Sequence, residues 1–351
     1  MKLLSVILLV ASLASAAEIK PGSIQHVIVY SEPGRFAGWP ANNGVWVWGN
    51  EILVGFEQNY FKADDKSHSY DKEQPQRGVL ARSLDGGETW KLEIPEAWPG
   101  RKLAVLPSPG KFDFAAPGFA MRVSGKEFFV SSDKGKQWKG PCTLSDFGFN
   151  LTSRTDYLVN GKNDLLIFLS GDQPDVKAGN YKDRTFCART TDGGQTFQFQ
   201  DWMTAAPLNV GSVMPTTVRT SATRLVSAMR RKVTVEEGGK KKDSHWIDVY
   251  ESPDNGKTWR FLSKVADTDR GEKNGNPPAM IRLRDGRLCV AYGFRSLPYG
   301  MRAKISTDEG KTWASEIVLR KDAGTWDFGY PRMIQRPDGK IVTIYYYNTN
   351  N

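Results

Sequence analysis

The sequence is poor in cysteine and histidine, with only three residues of each type among 351. Cys142, Cys187 and Cys289 are too few for a disulfide framework, and the last two lie in apolar, strand-like runs. We therefore expect buried free thiols. The few histidines and cysteines also lack the spacing of a zinc site. No metal, no other cofactor and no disulfide is expected to stabilise this chain.

Long apolar runs are missing after the N-terminus. Residues 1–17 contain one lysine, a short apolar run and then small residues, a pattern typical of a secretory signal peptide and too short for a membrane span. No later stretch approaches the ~18 uninterrupted apolar residues that a membrane helix needs, and no cysteine follows the cleavage region to accept a lipid. We expect residues 18–351 to form one secreted or periplasmic domain without a membrane span.

The charge is one-sided. The formal net charge is +9 and the isoelectric point is about 9.3, and a basic surface attracts anions such as an acidic glycan or a nucleic acid. The positive charge is scattered along the chain, and the signal peptide directs the protein out of the cytoplasm, so we expect no nucleic-acid partner. An acidic glycan is the expected partner, bound by a monomer.

A short turn occurs in five near-copies. They are residues 83–90, 131–138, 190–197, 252–259 and 306–313. Each copy joins two β-rich runs and supplies an Asp that bonds back to the backbone, a Gly that tolerates positive φ and a closing aromatic residue. The five aspartates are Asp85, Asp133, Asp192, Asp254 and Asp308, spaced by 48 to 62 residues. This period predicts an array of β units, in which the aspartates are structural.

A second repeat lies between these turns. Residues 276–292 and 329–345 both read as a proline, a strand, an Asp-Gly hairpin and a second strand, with looser versions elsewhere. Four antiparallel strands in roughly 50 residues are typical of a propeller blade. We predict an all-β, six-bladed β-propeller whose first five blades end near residues 95, 142, 201, 265 and 320. A sixth blade begins at Pro331, and the run 26–30 is expected to add its outer strand and close the ring.

The predicted active rim lies opposite the Asp turns, where the first strands begin and the second strands end. There the fold collects Trp39, Arg154, Asp156, Arg231 and Arg295. Arginine offers a planar, bidentate fork to a carboxylate, so the set predicts a pocket for a carboxylated or sulfated sugar. The alternative is that these arginines form salt bridges between blades. The long loop 58–77 adds Asp65, His68 and Asp71 to the same rim.

The Asp turns and the blade layout together resemble the sialidase superfamily of six-bladed propellers, over essentially the whole mature chain. Stretches 275–278, 299–303 and 327–331 are similar to bacterial secreted exo-α-sialidase-like proteins. The resemblance implies a glycoside hydrolase with an arginine cluster for the substrate carboxylate, a tyrosine nucleophile activated by a glutamate, and an aspartate acid. By position, Tyr330 matches the nucleophile, Asp71 or Asp65 the acid, and Arg230 or Arg231 the second arginine.

The chain departs from the sialidase pattern at three places. Residues 38–40 contain no arginine before the first-blade proline, and Arg35 is the nearest substitute. No glutamate precedes Pro215 to activate the tyrosine, and the fifth-blade entry 276–278 lacks an arginine, although Arg295 and Arg302 are close in sequence. The resemblance therefore supports the predicted fold more strongly than it supports the sialidase reaction.

His68 suggests a second type of reaction. A histidine that faces Tyr330 and an arginine set would serve proton abstraction next to a uronate, because histidine titrates near neutral pH. Three alternatives remain from the sequence: a sialidase-type exo-glycosidase, a glycosidase or lyase acting on glycans that contain uronic acid and rhamnose, and a catalytically silent glycan-binding propeller.

Overall fold

The computed structural model describes residues 22–96, 98, 104–106, 110–152, 154–172, 182–205, 210–271 and 275–349. The predicted signal peptide lies outside these residues. Within them the fold is all-β, with a single four-residue helix, α1 (Pro40–Asn43). No helix in this part of the chain has the length and apolar character needed to cross a membrane.

In the described part of the chain the strands form six separate antiparallel sheets. The first sheet contains β1 (Arg35–Gly38), β2 (Val45–Trp48), β3 (Glu51–Tyr60), β4 (Arg77–Ser83) and β5 (Lys91–Glu93). The second contains β6 (Ala120–Ser124), β7 (Glu127–Ser131) and β8 (Lys139–Thr143), and the third β9 (Tyr157–Gly161), β10 (Asp164–Asp172), β11 (Asp183–Thr190) and β12 (Gln198–Trp202). The fourth contains β13 (Val210–Arg219), β14 (Leu225–Glu237), β15 (Lys240–Ser252) and β16 (Arg260–Asp267). The fifth contains β17 (Ala279–Arg282), β18 (Leu288–Phe294), β19 (Gly300–Ser306) and β20 (Ile317–Arg320), and the last only β21 (Gly329–Gln335) and β22 (Ile341–Tyr346).

The first five sheets are blades of a β-propeller, and their last strands lie at the positions predicted for the blade ends. The N-terminal run behaves differently from the prediction, since residues 26–30 are not assigned to any strand. The reason lies in what holds this run. Tyr30 bonds to Gln58 and Glu32, and β1 pairs with the end of β3, so the N-terminal segment is tied to the first sheet.

The apolar core lies between successive sheets. Trp46 and Leu53 of the first sheet pack with Phe129 and Trp138 of the second sheet and its turn, and similar clusters join the following pairs. The two-stranded last sheet has neighbours on both sides: Met333 belongs to a cluster with the fifth sheet. Ile334 and Ile344 pack against Ile52 and Val54 of the first. Burial of this kind contributes about 25 cal/mol per Å² of apolar surface.

The Asp turns have the predicted structural role. Asp85 accepts hydrogen bonds from the main-chain N–H groups of Glu88 and Thr89, each at 3.0 Å, and from the Thr89 hydroxyl at 2.6 Å. These bonds, led by the one from the Thr89 hydroxyl, lower the pKa of Asp85. The two residues after the aspartate adopt positive φ, 79° at Gly86 and 99° at Gly87. Each turn therefore fixes the last hairpin of its blade.

Candidate functional site

Three residues that precede a proline adopt left-handed backbone conformations on the same rim. Trp39, Met214 and Tyr330 have φ values of 58°, 57° and 50°, whereas a residue before proline normally favours an extended conformation. All three belong to one buried cluster, together with Phe36 and Tyr346. Non-glycine residues held in this region cost free energy and are concentrated at functional sites. The strained residues therefore mark the rim that the sequence predicted.

Asn276 holds the main chain of Tyr330 in this conformation. Its Oδ1 accepts the Tyr330 N–H at 3.1 Å and the Gly293 N–H at 3.2 Å, and its Nδ2 donates to the Phe328 carbonyl at 2.9 Å. Gly329, with φ of 108°, has no room for a side chain because a Cβ there would collide with the Asn276 amide. The glycine and the asparagine together place the tyrosine.

Three arginines act on the Tyr330 hydroxyl. Burial alone would raise the pKa of Tyr330, but the positive charges of Arg230, Arg295 and Arg154 and a hydrogen bond from Arg230 lower it below its ordinary value. The Arg295 guanidinium is fully buried and lies 5.4 Å from the centre of the Tyr330 ring. Arg230 also donates to the Gly275 carbonyl at 3.0 Å. This concentration of positive charge suits an anionic ligand.

Arg295 is held firmly by the last sheet. Its Nη2 donates to the Phe328 carbonyl at 2.7 Å and to the Tyr346 hydroxyl at 3.1 Å, and its Cζ lies 5.2 Å from the Trp326 ring. A guanidinium fixed in this way keeps its charge in place beside Tyr330 without losing further side-chain freedom when a ligand binds.

His68 and Asp327 form a pair next to the arginines. Nδ1 of His68 lies 2.5 Å from Oδ1 of Asp327, which also accepts the Tyr346 hydroxyl at 2.6 Å. Burial would raise the pKa of Asp327, but its bonds with His68 and Tyr346 lower it. The His68 ring stands edge-on to Tyr330, with 6.0 Å between ring centres, and edge-on to Trp39, with 5.1 Å between ring centres. The pair brings a proton-transfer group beside the tyrosine.

Glu57 extends the charged surface toward the second sheet. Burial raises the pKa of Glu57, and the charges of Arg122 and Arg154 offset only part of this effect. Arg122 is itself buried, which lowers its pKa to about 10, and it donates to Asn43 Oδ1 at 2.7 Å. A carboxyl group that is protonated more readily than usual can donate a hydrogen bond to a ligand.

Arg231 does not join the cluster, whereas its neighbour Arg230, the other candidate for the second arginine, does. Arg231 Nε lies 3.4 Å from Asp248 Oδ2, and its Cζ lies 5.7 Å from the Tyr250 ring. Successive side chains of a strand point to opposite faces of the sheet. Since both arginines lie on β14, only one of them can reach Tyr330.

Two further predicted arginines have other partners. Arg302 is buried, lies 3.0 Å from Glu316 and donates to the Pro298 carbonyl at 2.9 Å. Arg35 lies 3.6 Å from Glu32 and 3.8 Å above the Tyr60 ring. Both therefore support the fold locally, and the structure does not bring them to Tyr330.

The aspartates predicted for the site are dispersed. Asp71 Oδ1 lies 3.7 Å from Lys62 Nζ and accepts the Glu73 N–H at 3.1 Å, which organises its own loop. The Asp65 carbonyl accepts the Trp326 indole N–H at 3.2 Å. Asp71 is thus engaged within its own loop.

Asp156 lies deep between the first strands of the sheets. Its Oδ1 accepts the Thr217 N–H at 3.4 Å, and burial raises its pKa to about 7 despite the nearby charge of Arg332. Arg332 in turn donates to the carbonyls of Ala41 and Thr155. Asp156 therefore belongs to a polar centre beneath the rim.

Tyr330, His68, Trp39, Arg154 and Arg295 are thus the predicted residues that the structure brings together. The sequence did not predict the roles of Asp327 and Asn276, which lie in the stretches 327–331 and 276–278, or that of Tyr346. Strand alternation could have indicated Tyr346, because the sequence places Asn348 where a second strand ends at the rim, and Tyr346 lies two positions before it on the same face. No sequence pattern indicated Arg122.

The comparisons with known proteins support the fold. Among solved structures, a protein of unknown function from Dyadobacter fermentans is 22% identical, with a TM-score of 0.64 over 92% of this chain and 93% of that one. An α-L-arabinanase from Penicillium chrysogenum is 16% identical, with a TM-score of 0.56 over 86% and 89% of the two chains. The GH93 α-L-arabinofuranosidase of Fusarium graminearum is 15% identical, with a TM-score of 0.53 over 95% and 97%. At these identities the likeness concerns the propeller fold alone.

The comparison with curated proteins found no match. A family model, described as a BNR repeat-like domain, matches residues 105–343. This range covers more than half of the chain and contains four of the five Asp turns. The protein therefore belongs to the BNR repeat-like domain family.

Proposed function

We propose that this protein is a secreted glycoside hydrolase that removes a terminal acidic sugar from glycans, with sialidase-type cleavage as the named reaction. The observation that carries the proposal is the convergence of Arg154, Arg230 and Arg295 on Tyr330. Two of the compared structures, from Penicillium chrysogenum and Fusarium graminearum, are named as glycosidases of arabinose-containing substrates. A neutral sugar would not require three arginines, so we assign a carboxylated one.

In this proposal Tyr330 is the nucleophile. The arginines hold the sugar's carboxylate and lower the pKa of the phenol, so that its oxygen can attack the anomeric carbon. The bond to the departing glycan breaks, and a proton from His68 passes to the departing oxygen. Water then attacks the same carbon, returns a proton to His68 and releases Tyr330.

The bond between His68 and Asp327 sets the role of the histidine. Nδ1 faces the carboxylate at 2.5 Å, which leaves Nε2 as the ring nitrogen that exchanges protons with a substrate. His68 thus replaces the aspartate acid that the family resemblance implied. Asp71 is not required in this scheme, since it is engaged within its own loop.

A second candidate is eliminative cleavage of a uronate. It is favoured by one observation: the charges of three arginines lower the pKa of Tyr330, which makes its phenolate available as a base. In the elimination, the arginines hold the uronate carboxylate, and Tyr330 or His68 removes the C5 proton. A double bond forms between C4 and C5 as the C4–oxygen bond breaks, and the departing oxygen takes a proton.

We also propose that the two-stranded last sheet is a sixth blade and closes the ring against the first sheet. The cluster that combines Ile334 and Ile344 with Ile52 and Val54 supports this closure. Apolar packing of Val29 and Tyr30 against the same cluster adds to it. Secretion or export to the periplasm, and a monomeric state, are part of the proposal.

The deciding experiment is digestion of sialylated, glucuronylated and rhamnosylated glycans in water enriched in ¹⁸O. A hydrolase places one ¹⁸O atom in the released sugar, which raises its mass. A lyase leaves the product unlabelled and creates an unsaturated uronate that absorbs in the ultraviolet. The absence of any product, with glycan binding retained, would instead identify a silent binding propeller and overturn both enzymatic readings.

A further inference from the structure

A cavity of about 430 Å³ opens beside Arg230, between the fourth and fifth sheets. Its walls include His245, Asp269, Lys242, Arg270 and Phe294. The cavity adjoins the arginine cluster through Gly275, which packs against the His245 ring and accepts the Arg230 hydrogen bond at 3.0 Å. Its size falls in the range of about 300–1,000 Å³ that is usual for small-molecule sites.

The floor of this cavity is polar and buried. Nδ1 of His245 lies 2.8 Å from Oδ2 of Asp269, and the two side chains are 1% and 0% exposed. His245 Nε2 and the Thr268 hydroxyl oxygen have no hydrogen-bond partner within the described part of the chain. Buried polar atoms are nearly always bonded, and those that are not need a ligand, a water or an ion as partner. The floor therefore has bonding capacity left for a ligand.

The bonds that join Thr268 to Arg295 and His245 do not use these free side-chain atoms. The Thr268 carbonyl accepts the Arg295 N–H at 2.7 Å, and the Thr268 N–H donates to the His245 carbonyl at 3.1 Å. Both bonds involve main-chain atoms only. These bonds fix the main chain at Thr268. They do not satisfy the side-chain polar atoms of His245 and Thr268.

The rim of the cavity carries positive charge and an aromatic face. Lys242 is exposed, and the Arg270 guanidinium lies 5.7 Å from the Phe294 ring centre. Asp267, the acidic residue of the rim, is already paired with Lys264 at 2.7 Å. A ligand that fits these walls has hydroxyl groups for the floor, an apolar face for the ring and a negative charge for the rim.

We propose that this cavity is a second sugar subsite, which binds the acidic sugar adjacent to the terminal one. The hydroxyls of that sugar bond to His245 and Asp269, and its carboxylate or sulfate lies between Lys242 and Arg270. The inference rests on the proposed function, because it takes the terminal acidic sugar to lie at the arginine cluster on the other side of Gly275.

The test compares binding of single and paired acidic sugars by titration calorimetry. The probes are galacturonic acid and digalacturonate, and N-acetylneuraminic acid and its α2,8-linked dimer, all measured in the full mature chain carrying Tyr330→Phe to prevent turnover. We expect at least one dimer to bind at least tenfold more tightly than its monomer. The Lys242→Ala/Arg270→Ala pair should reduce this ratio to about one. The matched control is Lys257→Ala/Lys311→Ala, which removes the same charge from exposed positions in two Asp turns and should keep the ratio.

Equal binding of monomer and dimer, or a ratio that survives Lys242→Ala/Arg270→Ala, would overturn the subsite. Arg230→Lys separates this failure from failure of the proposed function. If Arg230→Lys abolishes binding and the rim variant does not alter the ratio, the arginine site stands and the subsite falls. If the rim variant weakens dimer binding and Arg230→Lys has no effect, the subsite stands and the proposed function falls. Absence of binding to every probe overturns both.

Discussion

Nδ1 of His68 lies 2.5 Å from Oδ1 of Asp327, although 259 residues separate them in the chain. The other oxygen of the same carboxylate accepts the Ser69 N–H at 2.7 Å. A loop of the first sheet is thus bound to the entry of the last sheet, directly beside Tyr330. The contact that completes the candidate site is also one that joins the two ends of the fold.

Asp327→Asn should lower kcat at least tenfold and displace the pH–rate profile, because the amide removes the negative charge that lies 2.5 Å from Nδ1 of His68. His68→Gln should have a similar effect on kcat. The lowered pKa of Asp327 also means that its carboxylate stabilises the fold above its unfolded pKa, and that this contribution is lost as the pH falls through the folded value. The control is Asp322→Asn, where an exposed aspartate accepts a tyrosine hydroxyl at 3.0 Å outside the site. An unchanged pH–rate profile in Asp327→Asn would argue against the pair.

Tyr330→Phe should abolish turnover and leave the fold intact, because only the hydroxyl beside the three arginines is lost. In the unmodified enzyme the rate should rise with pH through a pKa below that of an ordinary tyrosine, since the charged phenolate is the reactive form. Tyr250→Phe is the matched control, as Tyr250 also lies beside an arginine, Arg231, at 5.7 Å. Near-normal rates in Tyr330→Phe would remove this residue from the reaction.

Arg230→Lys should reduce kcat/KM for an acidic substrate about 10- to 100-fold, equivalent to roughly 1.5–3 kcal/mol for a lost hydrogen bond to a charged group. A lysine retains the charge and loses the planar fork. Arg231→Lys makes the same change one residue further along β14, on the opposite face. It should alter thermal stability more than kinetics. Equal kinetic losses in both variants would contradict the assignment of Arg230.

Asp156→Asn should make the free energy of unfolding depend less on pH between about pH 4 and pH 7. The folded-state pKa of Asp156 is raised to about 7 by burial, so the folded protein retains a proton that the unfolded chain releases near pH 4. Stability should therefore fall as the pH rises from about 4 to 7, by an amount on the order of 4 kcal/mol. Denaturant titrations of both proteins at several pH values measure this slope. A difference between them that does not change with pH would show that Asp156 stays ionised.

Asp192→Ala should lower the free energy of unfolding by about 1–2 kcal/mol, as expected for loss of its hydrogen bonds. Asp192 accepts the Thr196 hydroxyl at 2.6 Å and the main-chain N–H groups of Gln195 and Thr196. Kinetic constants should not change, because the turn lies away from Tyr330. A large loss of activity at unchanged stability would reveal a functional role for this turn.

Local chemistry made much of the fold predictable. The Asp turns close hairpins through bonds within eight residues, as Asp85 does with Thr89, so their sequence pattern suffices. The same pattern located the opposite rim, and with it Tyr330, Arg154, Arg295 and His68. The position of residues 26–30 was not predictable in this way, since Tyr30 bonds to Gln58 and packs, with Val29, on an apolar cluster shared by the first and last sheets.

The site depends on longer-range relationships. The choice between Arg230 and Arg231 is set by the register of β14 against its neighbours, and a register shift of one residue would reverse it. Arg35, Arg302 and Asp71 lie outside the site because each is paired with another charged residue after folding. These partners are Glu32, Glu316 and Lys62.

The sequence by itself determined the repeating β units, the structural role of the five Asp turns and the rim on which function is expected, because each follows from bonds within a hairpin and from strand alternation. Only the tertiary structure decided that Arg154, Arg230 and Arg295 act together on Tyr330 and that Asp327 orients His68. Those groups belong to different sheets, and the electrostatic shift of a buried phenol arises only when packing excludes water and brings distant charges together.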